Sequence, residues 1–522
     1  MIPQHERSID DLLQQVLDRA AVQPERPAIV QERGRRRIAY GELADRVRRA
    51  RAGLSASGLR TGDAVLFAVR PGIDQMVLLS ALLLAGAAVV ALDAGVNTHA
   101  FAERVRLIAP RWVVADSGAY AAGGPGLLRW WLRRRGARFP DLCVPGAGLI
   151  RVGARWPGVP RSMPASELWS HAGGDRAPAE STPRERSAFI VFTSGTTGAP
   201  KAVEHTAQSI AAGCATIASL LQLGESDVLC TTQAHLMLVG LLAGATCVVP
   251  HDGTRPLVAA LARHRVTHLY VVPFEIAAVA RLLEQRRGAW PRDLRTIVIG
   301  GATVSNALLA RLRARCDATT EIWCVYATTE IFPVALVESR EKLAFTGGGD
   351  LVGAPVAGVT VATAQDGEIL ASGSGLFRGY VGEPRVAVHA TGDLGRIDGG
   401  RLVLLGRKKD MIIRGRHNIY PSLYEEHVLA LPGVERCALV GIPSAEHADE
   451  RIVLAIEPRP GEDAARLHTR VTRALRDGSC PIDSFAMPDE IVVCNVPHSG
   501  RATKPDRQRL VALLAERKQR DA

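Results

Sequence analysis

The 522-residue sequence lacks several features that would assign it to a special class of protein. Aromatic residues make up only 5% of it, and its nine cysteines include no C-x-x-C pair. This pattern disfavours a structural zinc site and a secreted disulfide framework, and it indicates reduced thiols. The first residues, MIPQHERSIDDLL, lack a basic segment followed by an apolar stretch, so no signal peptide is predicted. We therefore expect a cytoplasmic protein.

Long hydrophobic runs are also scarce. The longest uncharged run extends from Gln75 to Leu92 and reaches only the lower length limit for a membrane-spanning helix. Gly86 divides it into a helix-like half, MVLLSALLLA, and a strand-like half, AAVVAL. We interpret the run as a buried helix followed by a buried strand, and we predict no membrane span.

Positive charge exceeds negative charge, with 64 Lys and Arg against 53 Asp and Glu, for a net charge of +11. This excess suits anionic ligands such as nucleotides, but no nucleic-acid recognition motif accompanies it, so we predict no nucleic-acid partner. The segment LLRWWLRRRGAR, residues 127–138, is compatible with contact to a membrane or to nucleic acid. A helix with a solvated basic face is the preferred interpretation.

Helical and strand patterns alternate along most of the chain, which predicts an α/β fold with parallel-rich sheets and flanking helices. Ser8 with Asp11 marks the start of the first helix. Short strands with glycine turns indicate a small β-rich unit at about residues 347–405. We predict a large N-terminal domain, residues 1–409, that includes this unit, and a small α+β C-terminal domain, residues 410–522.

The most informative segment is a buried strand, AFIVF, that leads into TSGTTGAPK, residues 193–201. Glycines let backbone N–H groups approach phosphate oxygens, hydroxyls donate further hydrogen bonds, and a lysine supplies charge. The segment is not a G-x-x-x-x-G-K-[ST] loop, because no Ser or Thr follows Lys201. From these residues alone, a phosphate-binding loop and a polar surface turn both stay open.

TSGTTGAPK resembles the phosphate loop of the adenylate-forming superfamily, which includes acyl-CoA synthetases, peptide-synthetase adenylation domains and luciferases. Further matches follow in the family's order over almost the whole chain. They are Gly300-Gly301-Ala302, the YATTE segment from Tyr326 to Glu330, Gly367-Glu368-Ile369, Gly379-Tyr380, Thr391-Gly392-Asp393, the segment from Gly406 to Asp410, and Lys504. The ordered set favours a nucleotide site over isolated turns and surface acids.

The resemblance implies a role for each matched residue. The β- and γ-phosphates of ATP would be held by Thr193, Ser194, Gly195, Thr196, Thr197, Gly198 and Lys201. The backbone of Gly300, Gly301 and Ala302 would follow the adenine, whose face Tyr326 would cover. Thr329 would bond the α-phosphate, and Glu330 would hold Mg²⁺. Asp393, with Arg407 nearby, would accept the ribose hydroxyls.

Near the C-terminus, Lys504 resembles the family's catalytic lysine, which neutralises charge at the α-phosphate during adenylation. Its spacing from Pro497 is one residue longer than usual, and Thr503 replaces a glycine. The resemblance also implies a hinge at Lys409 and a thiol tunnel at Gly415 and Arg416, where many acyl-CoA synthetases have two glycines. The arginine would either plug this tunnel or contact a phosphate of the thiol partner.

The resemblance places the acyl pocket at residues 234–240, which include His235 and Gly240, and at residues 298–304. His235 would either gate this pocket or be a core histidine whose hydrogen bonds are satisfied. Few aromatic residues and many Leu, Val and Ala residues favour an aliphatic acyl group.

Together these features predict an ATP- and Mg²⁺-dependent ligase that converts a small carboxylic acid to acyl-AMP and pyrophosphate. A thiol, of either CoA or the phosphopantetheine arm of an acyl carrier protein, would then accept the acyl group. One alternative is an enzyme that forms the adenylate but no thioester, such as a β-lactone synthetase. The extra basic segment before the phosphate loop and the run Glu330-Ile-Phe-Pro-Val resemble that subgroup. A catalytically silent nucleotide-binding protein is a distant alternative, disfavoured by the intact set Lys201, Glu330, Asp393 and Lys504.

Overall fold

The computed structural model describes residues 7–92, 98–134, 139–171, 183–193, 201–286, 290–414, 417–444, 449–483, 486–499 and 504–520. The helices are α1 Ile9–Val22, α2 Tyr40–Ala56, α3 Ile73–Leu84, α4 Thr98–Ile108, α5 Ser117–Gly123, α6 Leu127–Arg134, α7 Ala165–Leu168, α8 Ala207–Leu221, α9 Ala234–Ala243, α10 Thr254–Arg263, α11 Pro273–Gln285, α12 Asn306–Arg313, α13 Ser339–Ala344, α14 Pro421–Leu429, α15 Ala464–Arg476 and α16 Arg507–Arg520.

The strands up to the middle of the chain are β1 Pro27–Gln31, β2 Arg36–Ala39, β3 Ala64–Ala68, β4 Ala88–Ala91, β5 Trp112–Asp116, β6 Gly148–Val152, β7 Met163–Pro164, β8 Ser187–Thr193, β9 Lys201–Thr206, β10 Val228–Cys230, β11 Thr246–Val249, β12 His268–Val271 and β13 Thr296–Ile299. The later strands are β14 Glu321–Tyr326, β15 Ala335–Glu338, β16 Asp350–Pro355, β17 Val359–Thr363, β18 Glu368–Gly373, β19 Gly379–Tyr380, β20 His389–Asp398, β21 Arg401–Arg407, β22 Ile412–Arg414, β23 His417–Ile419, β24 Val434–Ser444, β25 Asp449–Pro458, β26 Glu490–Val493, β27 His498–Ser499 and β28 Lys504–Pro505.

Local signals explain where the first elements begin and end. Ser8 and Asp11 form the predicted capping box at the start of α1: the Ser8 N–H donates to Asp11 Oδ2 (2.8 Å), and the Asp11 N–H donates to Ser8 Oγ (3.3 Å). Gly86, with a φ of +81°, separates α3 from β4. The long uncharged run therefore forms a buried helix and strand, as predicted. Across the described ranges, no helix is long and apolar enough to cross a membrane.

One large sheet has the strand order β19-β9-β8-β4-β3-β5-β6-β7. β3 is parallel to β4 and β5, and β4 is parallel to β8, because the intervening connections return the chain to the same end of the sheet. β8 and β9 are antiparallel, and Thr193 pairs with Lys201. The two ends of the predicted phosphate loop therefore lie side by side at one end of this sheet.

The second large sheet has the order β17-β18-β20-β21-β16-β15-β14-β13-β12-β10-β11-β1-β2. Its neighbouring strands from β11 through β10, β12 and β13 to β14 are parallel. The pairs from β14 to β18 are antiparallel, so the predicted β-rich unit continues this sheet rather than forming a separate one. The largest apolar core joins α1, α2, α3, α8 and α9 to strands of both sheets.

After Arg407 the strands pair only among themselves within the described residues. β22 pairs with β23, β25 pairs with both β24 and β26 in a three-stranded sheet, and β27 pairs with β28. These strands and α14 to α16 form mixed α and β structure around apolar cores of their own. The architecture confirms the predicted fold class. The domain division at Lys409 stays a prediction.

Candidate active site

A cavity of about 3210 Å³ connects most of the predicted site residues. Lys201 and Tyr380 reach it from the first large sheet, Tyr326 and Asp393 reach it from the second, and Glu330 reaches it from the loop after β14. The chain after β21 also lines it. The cavity is larger than an ordinary ligand pocket, because it continues into the cleft between these parts of the chain.

The predicted phosphate loop is represented by its two ends. Thr193 and Lys201 both line the cavity, whereas Ser194, Gly195, Thr196, Thr197 and Gly198 lie outside the described residues. The Lys201 ammonium lies 4.6 Å from the centroid of the Tyr380 ring, within the range of a cation–π interaction. The cation is thereby held at the cavity wall.

Tyr326, Asp393 and Arg407 form a connected polar group. The buried Tyr326 donates from Oη to Asp393 Oδ2 (2.7 Å), and Arg407 Nε lies 2.6 Å from Asp393 Oδ1. β20 and β21 place Asp393 directly opposite Arg407. Burial, followed by the nearby Asp393 carboxylate, raises the pKa of Tyr326. The phenol therefore stays a hydrogen-bond donor, and it orients the carboxylate.

The turn before Asp393 is also fixed. Glu368 Oε1 accepts from the Gly392 N–H (2.9 Å), and Lys408 Nζ donates to Glu368 Oε2 (2.7 Å). The Thr391 hydroxyl donates to the Ile369 carbonyl and accepts from the Asp393 N–H. Because its backbone and side chain are both bonded, Asp393 has a defined orientation toward the cavity.

Glu330 lies near two further side chains that line the cavity. Tyr380 Oη donates to Glu330 Oε1 (3.1 Å), and His389 Nε2 lies 3.7 Å from Oε2. Burial lowers the pKa of His389 and raises that of Tyr380, so both groups stay neutral near pH 7. Within the described residues, no group of three or more His, Cys, Asp or Glu side chains could hold a metal ion. Among the described residues, Glu330 is therefore not part of a cluster of metal-ligating side chains.

His205 holds the backbone of Thr329. Its Nε2 lies 2.8 Å from the Thr329 carbonyl oxygen, and its Nδ1 lies 3.1 Å from Ser209 Oγ. Burial lowers the pKa of His205, so the ring is neutral and carries one proton. A carbonyl can only accept, so the proton belongs on Nε2, and Nδ1 accepts from the Ser209 hydroxyl. His205 also packs edge-on against Phe332, with ring centroids 5.4 Å apart.

The glycine turn after β13 approaches the cavity from another side. Gly301 and Ala302 line it. Gly300 lies behind them, where its N–H donates to the Val271 carbonyl (3.2 Å), and a Cβ at this position would lie 2.9 Å from Tyr270 Oη. Gly301 has a φ of +84°, which side chains rarely adopt. Gly301 is therefore favoured by its backbone conformation, and Gly300 by its close approach to the Tyr270 side chain.

The two predicted acyl-pocket residues on α9 differ in position. His235 lines the cavity, its ring lies 5.8 Å from that of Phe332, and burial lowers its pKa to about 4. Gly240 faces the second sheet instead, where a Cβ would lie 2.7 Å from Cys247 Sγ and 3.1 Å from Leu229 Cδ2. Gly240 is not among the described residues that line the cavity. Its small size serves packing of the helix on the sheet.

The predicted residues of the last part of the chain are less fully described. Lys409 lines the cavity within a short 3₁₀ turn, Lys408–Asp410. Gly415 and Arg416 lie outside the described residues. Lys504 begins β28 and pairs with Ser499, but its side chain lies outside the description.

Three residues that line the cavity were missed by the sequence analysis as site residues: His205, Tyr380 and His389. For two of them the sequence contained a usable signal, because alternate residues of a strand lie on the same face of the sheet as a predicted site residue. His205 lies four residues after Lys201 in β9, and His389 lies four residues before Asp393 in β20. Tyr380 was predicted only as part of the family motif Gly379-Tyr380, with no role assigned to its side chain.

Comparisons with known proteins identify the family of this chain. The family model described as AMP-binding enzyme matches residues 16–381. A feruloyl-CoA synthase of an Amycolatopsis species is 30% identical over 454 residues, covering 81% of this chain and 84% of that protein. An olefin beta-lactone synthetase of Xanthomonas campestris is 28% identical over 492 residues, covering 84% of each chain.

A solved structure supports the fold. An amide bond synthetase from Marinactinospora thermotolerans superposes with a TM-score of 0.78 at 21% identity, covering 97% of this chain and 99% of that one. The family match extends over more than half of the chain, and the resemblance of the motifs follows the same order. The chain therefore belongs to the family of AMP-binding, adenylate-forming enzymes.

Proposed function

We propose that this protein activates a carboxylic acid with ATP, releases pyrophosphate, and transfers the acyl group from acyl-AMP to a thiol of CoA or of a carrier protein. The observation that carries the proposal is the common cavity of Lys201, Tyr326, Glu330 and Asp393. Lys201 comes from the first large sheet, Tyr326 and Asp393 come from the second, and Glu330 comes from the loop after β14. A packing role alone does not require a cation, two carboxylates and a phenol to meet at one cavity.

In this proposal the nucleotide binds along the second sheet. The ribose hydroxyls donate to Asp393, whose orientation Tyr326 and Arg407 maintain. The adenine lies along the backbone of Gly301 and Ala302, where absent or short side chains leave room for a flat ring. The β- and γ-phosphates lie between the phosphate loop and Lys201.

Mg²⁺ fits this donor set. The ion prefers oxygen ligands and usually takes one or two carboxylates, with phosphate oxygens and water completing its octahedron. Glu330 offers one carboxylate at the cavity, and the neutral Tyr380 and His389 beside it add no competing cation. Bound there, Mg²⁺ would supply positive charge to the phosphates.

In the first step a substrate carboxylate oxygen attacks the α-phosphorus, and the bond to the pyrophosphate oxygen breaks. Negative charge then passes from the attacking carboxylate oxygen to the bridging oxygen of the leaving pyrophosphate, and the equatorial α-phosphate oxygens share it in the transition state. Thr329 donates to the α-phosphate, and its position depends on the bond from His205 to its carbonyl. Lys504 brings an ammonium group to the same atoms. Its stabilisation of the transition-state charge is strongest where water is excluded.

The acid occupies the part of the cavity near His235. Phe332 packs against His235, and the apolar residues Ile210, Cys214 and Leu238 of α8 and α9 also line the cavity. Burial keeps His235 neutral, so the wall offers no counter-ion for a second charge on the substrate. These features favour a small, largely aliphatic acid with one carboxylate.

A second candidate is an adenylate-forming enzyme that makes no thioester and closes a 3-hydroxy acid to a β-lactone. It is favoured by the 28% identity to an olefin beta-lactone synthetase over 84% of the chain. Arg416, in place of a tunnel glycine, also agrees with the absence of a thiol acceptor. In that reaction the 3-hydroxyl oxygen attacks the acyl carbon, and AMP leaves.

Pyrophosphate release across a panel of carboxylic acids, with and without CoA, tests both candidates. We expect acid-dependent release, acceleration by CoA, and acyl-CoA in the product mixture. A β-lactone formed from a 3-hydroxy acid, without acceleration by CoA, would favour the second candidate. If no acid in a broad panel produced pyrophosphate, acid activation itself would be refuted.

A further inference from the structure

Helix α6, Leu127–Arg134, has its apolar side chains on one wide face. Leu128 and Leu132, at one edge of this face, are half-buried and line the large cavity. Leu127, Trp130 and Trp131 occupy the rest of the face and are 83%, 53% and 44% exposed. From the sequence we expect a solvated basic face on this helix, and the Arg134 side chain is exposed. The structure adds that three large apolar side chains are exposed beside it.

A nearby turn enlarges this exposed surface. A Cβ at Gly126 would lie 3.4 Å from Gly158 Cα, so the turn that contains Trp156 lies next to the start of α6. Trp156 is 45% exposed. We name Leu127, Trp130, Trp131 and Trp156 the Trp surface. Large apolar side chains grouped on a surface mark an interaction site, whereas isolated ones need no explanation.

The sequence segment that contains α6 is rich in positive charge. Between Asp116 and Asp141 the sequence has five arginines and no acidic residue. The Arg134 guanidinium lies 4.3 Å from the centroid of the Trp130 ring. Stacked in this way, the arginine keeps its charge beside the apolar stripe. The charge of the segment complements an anionic partner.

We propose that the Trp surface docks this protein on bilayers that contain anionic lipids. Trp is enriched at the membrane–water interface, and a helix with a Trp and Leu stripe flanked by Arg lies in the plane of that interface. Each arginine near an anionic surface adds attraction. A nucleic acid would satisfy the charge but would not bury Leu127, the most exposed apolar residue of the stripe.

Docking on a bilayer would also give the cavity an apolar approach. Leu128 and Leu132, beneath the Trp surface, line the same cavity as Lys201 and Glu330. An acid dissolved in the bilayer would then be near one end of that cavity. This consequence rests on the proposed function, whereas docking itself does not and is measured without turnover.

Co-sedimentation of the full chain with vesicles tests the proposal. We expect binding to phosphatidylcholine vesicles that contain phosphatidylglycerol, little binding to pure phosphatidylcholine, and weaker binding at high salt. The double variant Trp130→Ser with Trp131→Ser should bind at least about tenfold more weakly. Val22→Ser and Leu220→Ser alter side chains that are 79% and 42% exposed elsewhere, and they should bind like the parent.

Arg134→Glu provides a second variant in case the double variant fails to fold, which circular dichroism reports. It reverses one exposed charge and should weaken binding by about tenfold or more. The proposal is overturned if the parent does not bind anionic vesicles, or if both folded variants bind like the parent. Binding to an acidic acyl carrier protein but not to vesicles would overturn it in favour of a protein partner.

Discussion

His205→Leu should slow adenylation far more than it weakens ATP binding. Leucine has a similar volume but cannot donate to the Thr329 carbonyl, which His205 Nε2 approaches to 2.8 Å. A buried carbonyl left without its donor costs about 1 to 3 kcal/mol. If about 2 kcal/mol of this appears at the transition state, because Thr329 is displaced from the α-phosphate, kcat falls roughly 30-fold.

The assay is ATP–pyrophosphate exchange with the best acid from the panel, measured against ATP, Mg²⁺ and acid concentration. A fall in kcat with the KM for ATP changed less than about threefold would indicate a positioning role. His205→Gln retains a donor at the position of Nε2 and should recover most of the rate. His268→Leu is the matched control, because burial also lowers the pKa of His268, which is not among the described cavity residues.

A role for His205 as a hydrogen-bond donor is refuted if kcat falls equally in His205→Gln and His205→Leu, since lost packing against Phe332 would then be the cause. It also fails if His268→Leu lowers kcat as much at equal loss of stability. A parental rate in His205→Leu would show that the Thr329 carbonyl does not control the chemical step.

Four further predictions concern the site. Lys504→Ala should lower adenylation by a factor on the order of 10² to 10³, while equilibrium binding of ATP stays nearly unchanged; a parental rate would remove Lys504 from the reaction. Glu330→Gln should raise the Mg²⁺ concentration needed for half-maximal exchange without changing the melting temperature, because an amide is a poorer ligand for a hard cation; superimposable Mg²⁺ titrations would contradict this. Arg416→Gly should raise thioester formation if the arginine plugs the tunnel, and should raise the KM for the thiol about tenfold if it contacts a phosphate; no change in either would place Arg416 outside the tunnel. His235→Leu should make the protein more acid-resistant, because burial lowers the pKa of His235 from 6.5 to about 4. Between these values the unfolded chain binds more protons than the folded chain, so the free energy of unfolding falls as pH falls, by roughly 3 kcal/mol that the variant should not lose; urea titrations at neutral pH and near the lower pKa measure it, and an equal fall in both proteins would show that His235 is solvated.

Local patterns in the sequence predict the α/β class, because strand and helix periods are local properties of the chain. The capping box of Ser8 and Asp11 and the turn at Gly86 depend only on residues a few positions away. Both features occur where they were predicted. The phosphate-binding prediction for TSGTTGAPK likewise rests on consecutive residues. Similarity to the family then supplied the order of the remaining motifs.

Which side chains meet depends on how distant parts of the chain pack together. Tyr326 reaches Asp393, and His205 reaches Thr329, from positions far apart in the chain, and no local pattern encodes such pairs. Helix α6 is a second example. The apolar residues of LLRWWL cover about half of the helix circumference, so periodicity does not select which part of this wide face is buried. Packing turned Leu128 toward the cavity and left Trp130 exposed, because burial is decided by what lies opposite each face.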